Sequence, residues 1–525
     1  MRKLKISALI LCIFLLTGCQ GFSVPEGAGQ ITDILSGMEE EPDLSYEVPV
    51  SAPNILVNQL GYLTESAKIA VFKGPEVPES FSVVDAETGN TVFSGVPEDR
   101  GYNAGTDEYN SYGTFTALEK EGSYYIEAPV LGRSYTFAIG EELYEPVFKE
   151  ACKQYYYNRC GMTLTGEFAK ESAHNACHTG KAVLREDVSV SLDVSGGWHQ
   201  DEKGQKDVAK AAKNIAVMLL AYELYGEAFT DAMDIPESGN GVPDILDEIK
   251  YEIEWLLKMQ NQETGAVYSG VTVYEQSGNP GKAASVYVEP ASLEAAKAYA
   301  MALSKFSYLY QGYDTGFATG CLKAADRAWK YAELNGEEET DAWKFAAAAE
   351  LYRAAGRVDC HKYIIKYVSA GSYKKEQEEI SLLGCVTYLS TKQKVNRGIC
   401  EDMIKKLMAE AEKISRASKQ SVYLTEGNRE QDNNGQLLRN MMYLTIVNHI
   451  ITNHEYETVI ENHLHYFMGR NEKAICYIDN VGENNYKSID NTLGIMKQFD
   501  ADSEFIFMLS GILERTAFFA IPEAE

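Results

Sequence analysis

The sequence predicts a multidomain chain, with a small β-sandwich over residues 54–140 and a large all-α domain over residues 145–520. Three observations predict it. Residues 54 to 140 are short β-branched and aromatic runs broken by Gly, Pro, Asn and Asp. From Tyr144 onward apolar residues recur at helical spacing. The chain has 525 residues, enough for two sizeable cores behind a short apolar leader.

The leader comes first. "MRKLKISALILCIFLLTGCQ" has a basic start at Arg2, Lys3 and Lys5, then an apolar run too short to span a bilayer comfortably. It ends in Leu16-Thr17-Gly18-Cys19, which resembles a bacterial lipobox. Residues 1–19 are therefore expected to be a lipoprotein signal peptide, with cleavage before Cys19 and lipidation of its thiol. An ordinary cleaved signal peptide is the alternative. Residues 20–53, rich in Gly, Pro, Ser and acids, read as a flexible tether. The expected location is the bacterial cell surface, with the membrane contacted through the lipid anchor only. A formal net charge of −29 disfavours nucleic acid and anionic membrane surfaces as partners.

The strand candidates are "AKIAVFKG", "SFSVVDAETGNTVFSG", "YGTFTAL", "GSYYIEAP" and "SYTFAIG", with "DAETGN" as a hairpin turn. The helix candidates begin with "VAKAAKNIAVMLLAYELYG", where Ala211, Ile215, Met218, Leu219 and Tyr222 share a face. In "VPDILDEIKYEIEWLLKMQ", Ile245, Ile249, Ile253 and Leu256 do the same. There Pro243 suits the first turn, and Asp244, Asp247 and Glu248 suit the positive end of the helix dipole. "PASLEAAKAYAMALSKFSYLY", "FATGCLKAADRAWKYAELN", "DAWKFAAAAELYRAAG", "GQLLRNMMYLTIVNHIITN", "YETVIENHLHYFMG" and "EFIFMLSGILERTAFFA" follow. Short connections suggest antiparallel hairpins, and periodicity leaves bundle, solenoid and closed toroid open.

Several stretches together resemble glycoside hydrolase family 9, the cellulase group. "VNQLGY" (Val57 to Tyr62) followed by "AKIAVF" is similar to the start of its immunoglobulin-like domain. "YYYNRCG", "ACHTG", "DVSGGWH", "IPESGNGVPDILDEIKYEIEWLLKMQ", "CLKAADRAW", "AAAELYRAAG", "NNG" and "HYFMGRN" then occur in the family's order. The resemblance runs from about residue 54 to 515. It implies an immunoglobulin-like β-sandwich leading into an (α/α)6 toroid of six helical hairpins. It also implies a cleft for a β-1,4-linked glucan or cello-oligosaccharide, cut by inverting hydrolysis.

Cys160, Cys177, His178 and His199 lie within forty residues. Thiolate and imidazole are the usual ligands of tetrahedral zinc, and four protein ligands with no open position make a structural site. Members of the family bind structural zinc at these motif positions, so the resemblance implies the same here. The alternative is two buried thiols and two ordinary surface histidines. A calcium requirement is not legible in the sequence.

An inverting hydrolase needs one carboxyl as acid and another as base. The family places its base in an Asp-Ala-Gly-Asp segment directly after Gly-Gly-Trp-His. Here Gln200, Asp201, Glu202 and Lys203 stand in those four places. Gln has no basic carboxylate, and Lys is protonated at neutral pH unless desolvated. Asp201 and Glu202 are candidates for a relocated base, against the alternative of solvated loop acids. The segment after "GRN" lacks the His, Pro and Arg that the family uses to bind sugar. Glu504 in "DADSEFIFMLSG" matches the family's general acid, with Ser503 in place of Asn; a helix-dipole acid is its plainer reading. Trp198 is a candidate cleft residue, whereas Trp255, Trp329 and Trp343 fit helix cores.

Three functions follow. The first expectation is a surface β-1,4-glucan hydrolase using Glu504 with Asp201 or Glu202. Alternatively it is a catalytically impaired glucanase fold that binds glycans, or a structural or interaction lipoprotein.

Overall fold

The structure, a computed structural model, describes residues 52–104, 107–274, 285–336, 341–371, 378–426, 434–488 and 494–519. The leader, Cys19 and the tether up to residue 51 lie outside the described residues.

The sandwich begins at β1 (Ile55–Leu56) and ends at β10 (Phe137–Ile139). One sheet orders β1, β3 (Ile69–Gly74), β7 (Glu108–Thr114) and β6 (Glu98–Asn103). The other orders β2 (Gly61–Tyr62), β10, β8 (Gly122–Ala128), β4 (Phe81–Asp85) and β5 (Thr91–Gly95), with β9 (Gly132–Arg133) against β8. Alternation sends one side of each strand inward, so Phe72, Phe81, Val83, Tyr124, Ile126 and Phe137 fill the gap. Tyr62 meets Phe115 and Phe137 edge-on, at 5.3 and 5.4 Å between ring centres.

"VNQLGY" joins the sandwich to the helices. The Asn58 amide nitrogen lies 3.0 Å from His465 Nδ1, and its carbonyl accepts from Leu60 N and Gly61 N. Gln59 N donates to Met468 O, and its side-chain amide donates to Ala474 O and accepts from Asn484 N. Gly61 lies at φ +145, where a Cβ would come within 2.2 Å of Ala138 O across the β2–β10 pair, so only Gly fits.

Twelve helices of a dozen residues or more follow among the described residues. They are α1 (Glu145–Tyr157), α2 (Val208–Leu224), α3 (Asp244–Lys258), α4 (Leu293–Tyr310), α5 (Thr315–Asn335) and α6 (Ala342–Ala355). Then come α7 (Val358–Ser369), α8 (Glu378–Ser390), α9 (Arg397–Gln420), α10 (Asn434–Ile450), α11 (His454–Phe467) and α12 (Phe499–Phe519). Local chemistry sets the starts. Asp207, Ser292, Asp314, Asp341, Asn396 and Asn453 each cap a helix by accepting a backbone N–H.

The even-numbered helices form a closed inner ring, α2 on α4, α4 on α6, α6 on α8, α8 on α10, α10 on α12 and α12 back on α2. The fold is therefore an immunoglobulin-like sandwich followed by an (α/α)6 toroid. Ring helices are covered on several sides and are apolar nearly all round, as in Ala346 to Ala349 of α6. Towards the C-terminal ends of the first ring helices, Glu223, Lys305, Glu350 and Arg353 form a buried ion network, with Tyr308 and Thr387 also bonding Glu350. A small sheet, β12 (Ser191–Leu192), β11 (Ala182–Leu184), β15 (Ser285–Val288), β14 (Gly270–Tyr274) and β13 (Lys206–Asp207), carries the loop that precedes α2.

Candidate active site and metal centre

The turn after α1 and the Gly-Gly-Trp-His stretch pair through their backbones. Cys160 N donates to Gly197 O at 2.7 Å, and His199 N donates to Asn158 O at 2.8 Å. This pairing sets Cys160 and His199 side by side. Cys177 and His178 arrive on a separate loop, with His178 at φ +48. The four ligand atoms lie within 4.8 Å of one another.

Their spacing tests for a metal. Zinc bonded tetrahedrally to two thiolates and two imidazoles requires about 3.8 Å between sulfurs, about 3.3 Å between nitrogens and about 3.6 Å for mixed edges. The observed edges are 3.9 Å for the sulfurs, 3.3 Å for His178 Nδ1 to His199 Nε2, and 3.6 and 3.4 Å for two of the four mixed pairs, Cys160 with His178 and Cys177 with His199. The donor set and its dimensions fit a four-coordinate ion with no open position. The hydrogen bond shared with Cys160 and then the two imidazoles pull the Cys177 thiol below its ordinary value, while the same shared bond and burial push the Cys160 thiol up. The buried Lys206 ammonium lies 3.8 Å from Cys160 Sγ and donates to Val194 O and Gly196 O. Gly204, at φ +79, lets the loop pass His178, whose Cε1 would be 2.5 Å from a Cβ there.

Trp198 sits in the core rather than lining a cleft, which corrects the sequence expectation. It is fully buried against Tyr155 and Phe499. Its Nε1 donates to Glu248 and its backbone N to Glu252, both at 2.6 Å. The indole edge is thereby satisfied inside the protein and no ring face is left for sugar. Glu248 also takes Arg159 Nε, and Arg159 Nη1 pairs with Glu237 at 2.9 Å. Glu248 was expected to serve the helix dipole; it turns inward instead and buttresses the loop. Burial pushes the Glu252 carboxyl up to about 8.

The loop after His199 closes on itself. Gln200 clamps Asp207, accepting from its N at 2.9 Å and donating to its O at 2.8 Å. Asp201 Oδ1 accepts from Lys203 N and Gln205 N, both at 3.0 Å. Asp201, Glu202 and Lys203 are solvent-exposed. The carboxylate of Asp201 thus serves the turn, in the manner of an Asx motif.

Glu504 lies in the second turn of α12, 2 % exposed. Lys213 of α2 reaches it at 3.2 Å and reaches Glu379 of α8 at 2.7 Å. Around it Lys210 pairs with Asp500 at 3.2 Å, Asn214 donates to Asp500 at 3.0 Å, and Ser503 donates to Asn214. Burial first, and then the neighbouring Glu379, raise the Glu504 carboxyl well above the ordinary value. Burial opposes the Lys213 charge, yet Glu379 and Glu504 raise its ammonium above the usual lysine value. Among the described residues no hydrogen bond or ion pair joins Asp201 or Glu202 to Glu504. Sequence reasoning missed Lys213 and Glu379. A charge on the apolar-faced ring helix α2 was the only available signal.

The segment after "GRN" serves the domain junction. Arg470 is buried and donates to Ile69 O of the sandwich, Glu483 accepts from Thr136 N, and Asn484 bonds Gln59.

Comparison with known proteins gives a consistent answer. Residues 144–498 match Glycosyl hydrolase family 9, and residues 50–133 match the Cellulase N-terminal ig-like domain. The chain is similar to a cellodextrinase of Butyrivibrio fibrisolvens, 29% identical over 489 residues, covering 83% of this chain and 86% of that one. It is similar to the xyloglucan-specific endo-beta-1,4-glucanase BoGH9A of Bacteroides ovatus, 27% identical, covering 82% and 80%. The crystal structure of a metagenome-derived family 9 endoglucanase superposes with a TM-score of 0.78 at 25% identity, covering 88% of this chain and 98% of that one.

Proposed function

The chain belongs to glycosyl hydrolase family 9, and from that premise we propose that it is a surface protein that binds β-1,4-glucan chains, keeping the acid half of the family's hydrolytic pair without the base half. One observation carries the reading. Glu504 sits buried, with its carboxyl pushed well above the ordinary value first by burial and then by Glu379, while the loop that should supply the base spends Asp201 on its own turn and exposes Glu202 and Lys203. An inverting reaction needs a base to take a proton from water on the far face of the sugar. Without one, the Glu504 acid can still protonate a leaving oxygen, and turnover is slow.

The Cys160, Cys177, His178 and His199 cluster would hold a structural zinc, tying the loop to the turn after α1. Such an ion supplies rigidity rather than an open coordination position. Export and anchoring through Cys19 are supported by the basic start and the Leu-Thr-Gly-Cys run. Incorporation of labelled fatty acid, abolished in Cys19→Ser, tests the anchor.

The decisive experiment restores the loop. The variant Q200D/D201A/E202G/K203D is expected to release reducing sugar from cello-oligosaccharides at least about 100-fold faster than wild type. Wild type should bind the same oligosaccharides in calorimetry. Rapid wild-type hydrolysis lost in D201N or E202Q would instead favour the second reading, an active hydrolase with a relocated base. That reading draws on the position of both acids, two and three residues after His199. Absence of both binding and hydrolysis would leave the interaction lipoprotein.

A further inference from the structure

Three ring helices, rather than one, build the acid. Glu504 comes from the second turn of α12, Lys213 from the second turn of α2 and Glu379 from the first turn of α8. Alternate helices of the toroid run the same way, so these N-terminal turns meet at one end of the ring, and α8 reaches α2 there.

Charge balance decides what the three can do. Lys213 Nζ is 2.7 Å from Glu379 and 3.2 Å from Glu504, so one ammonium bridges the two carboxyl groups. Among the described residues no second cation pairs with either carboxyl. Lys210 is held by Asp500, and on α10 Arg439 bonds Gln436 while His449 lies against Tyr225. On α1, Cys152 and Tyr155 face Asp502. One ammonium balances one carboxylate, so the other carboxyl of a desolvated pair keeps its proton. The side chain of Glu504 is 3% exposed and that of Glu379 is 16% exposed. The proton therefore belongs on Glu504, where charge would be costlier. Bridged by one ammonium, the carboxyls are closer than the roughly 6.5–9.5 Å of an inverting pair, so Glu379 is not the missing base.

We propose that Glu379 and Lys213 are positioning residues for the Glu504 acid: Lys213 pins the Glu379 carboxylate, which accepts the Glu504 O–H and holds the proton in place. The inference rests on the reading of Glu504 as the retained acid. Its test does not need turnover. Carbon-13 shifts of glutamate carboxyls in the full chain report protonation between pH 4 and 10, with Glu504 assigned by the signal lost in E504Q. Wild-type Glu504 is expected to stay protonated at pH 7. E379Q leaves Lys213 facing Glu504 alone and should lower the midpoint by at least about one pH unit. K213M removes the cation and should raise it. Opposite shifts are what a merely structural role would not give, and shifts of one sign, or none, overturn the proposal. Should the variants fail to fold, wild type decides alone: Glu504 ionised at pH 7 overturns it. Hydrolysis by the restored loop with a Glu504 midpoint that E379Q and K213M leave unmoved would sink this inference and leave the function standing. Opposite shifts in protein that binds no cello-oligosaccharide would do the reverse.

Discussion

Arg159 shows how a single residue can carry a loop. Its guanidinium lies over the Tyr156 and Tyr251 rings, at 5.0 and 4.6 Å, and pairs with Glu248 and Glu237. Glu248 in turn holds Trp198 Nε1, one residue before His199 of the four-residue Cys/His cluster. Removing one partner of a buried ion pair strands the other's charge, so Arg159→Met is expected to lower unfolding free energy by about 3–5 kcal/mol. The R159M/E248Q double variant should lose less than the two singles together, as urea unfolding would show. Trp198 itself illustrates what residue type leaves undecided. An aromatic in a loop motif is equally suited to stack on sugar or to fill a core. The two glutamates that select the core lie 50 and 54 residues along the chain.

At the scale of elements, the loop from Gly196 to Asp207 has two anchors, the four-ligand cluster on one side and the Gln200 clamp on the other. Metal binding to the folded chain alone stabilises it by mass action. Chelation is therefore expected to release about one zinc per chain and to lower Tm by several degrees, read by elemental analysis and calorimetry. Cys177→Ser should reproduce the loss, whereas Glu202→Ala, at an exposed turn position, should leave Tm within about one degree. Eight helices were legible as apolar stripes, and α1, α7, α8 and α9 were not assigned. For α8 the reason is physical: covered on most sides, it has no polar face to set a period. The stripe of α9, Ile399, Met403, Leu407, Ala411 and Ile414, was there to be found.

At the scale of the whole molecule, the sandwich–toroid junction is closed by groups that tolerate little acid. Burial pushes the His463 imidazole down to about 3, and burial with the nearby Arg470 holds His465 well below its ordinary value. Both are neutral in the folded chain. The unfolded chain binds their protons once pH drops below about 6.5, so stability falls from there toward pH 3 and is regained above it. Unfolding monitored by calorimetry from pH 7 to 4 should show this decline. His465→Gln, which cannot titrate, should flatten it, and an unchanged slope would exclude His465 as a source.

The sequence by itself determined the family, the two architectures and the identity of the four Cys and His side chains that cluster at the candidate metal centre. These depend on residue order, local period and donor chemistry. It also determined that Gln200, Asp201, Glu202 and Lys203 directly follow Gly-Gly-Trp-His. Only the tertiary structure decided what the remaining acids do. Whether Asp201 caps its own turn, whether Glu248 faces solvent or Trp198, and which charges meet Glu504 all depend on contacts across long stretches of chain. Lys213 and Glu504 are 291 residues apart and meet because the ring of helices closes.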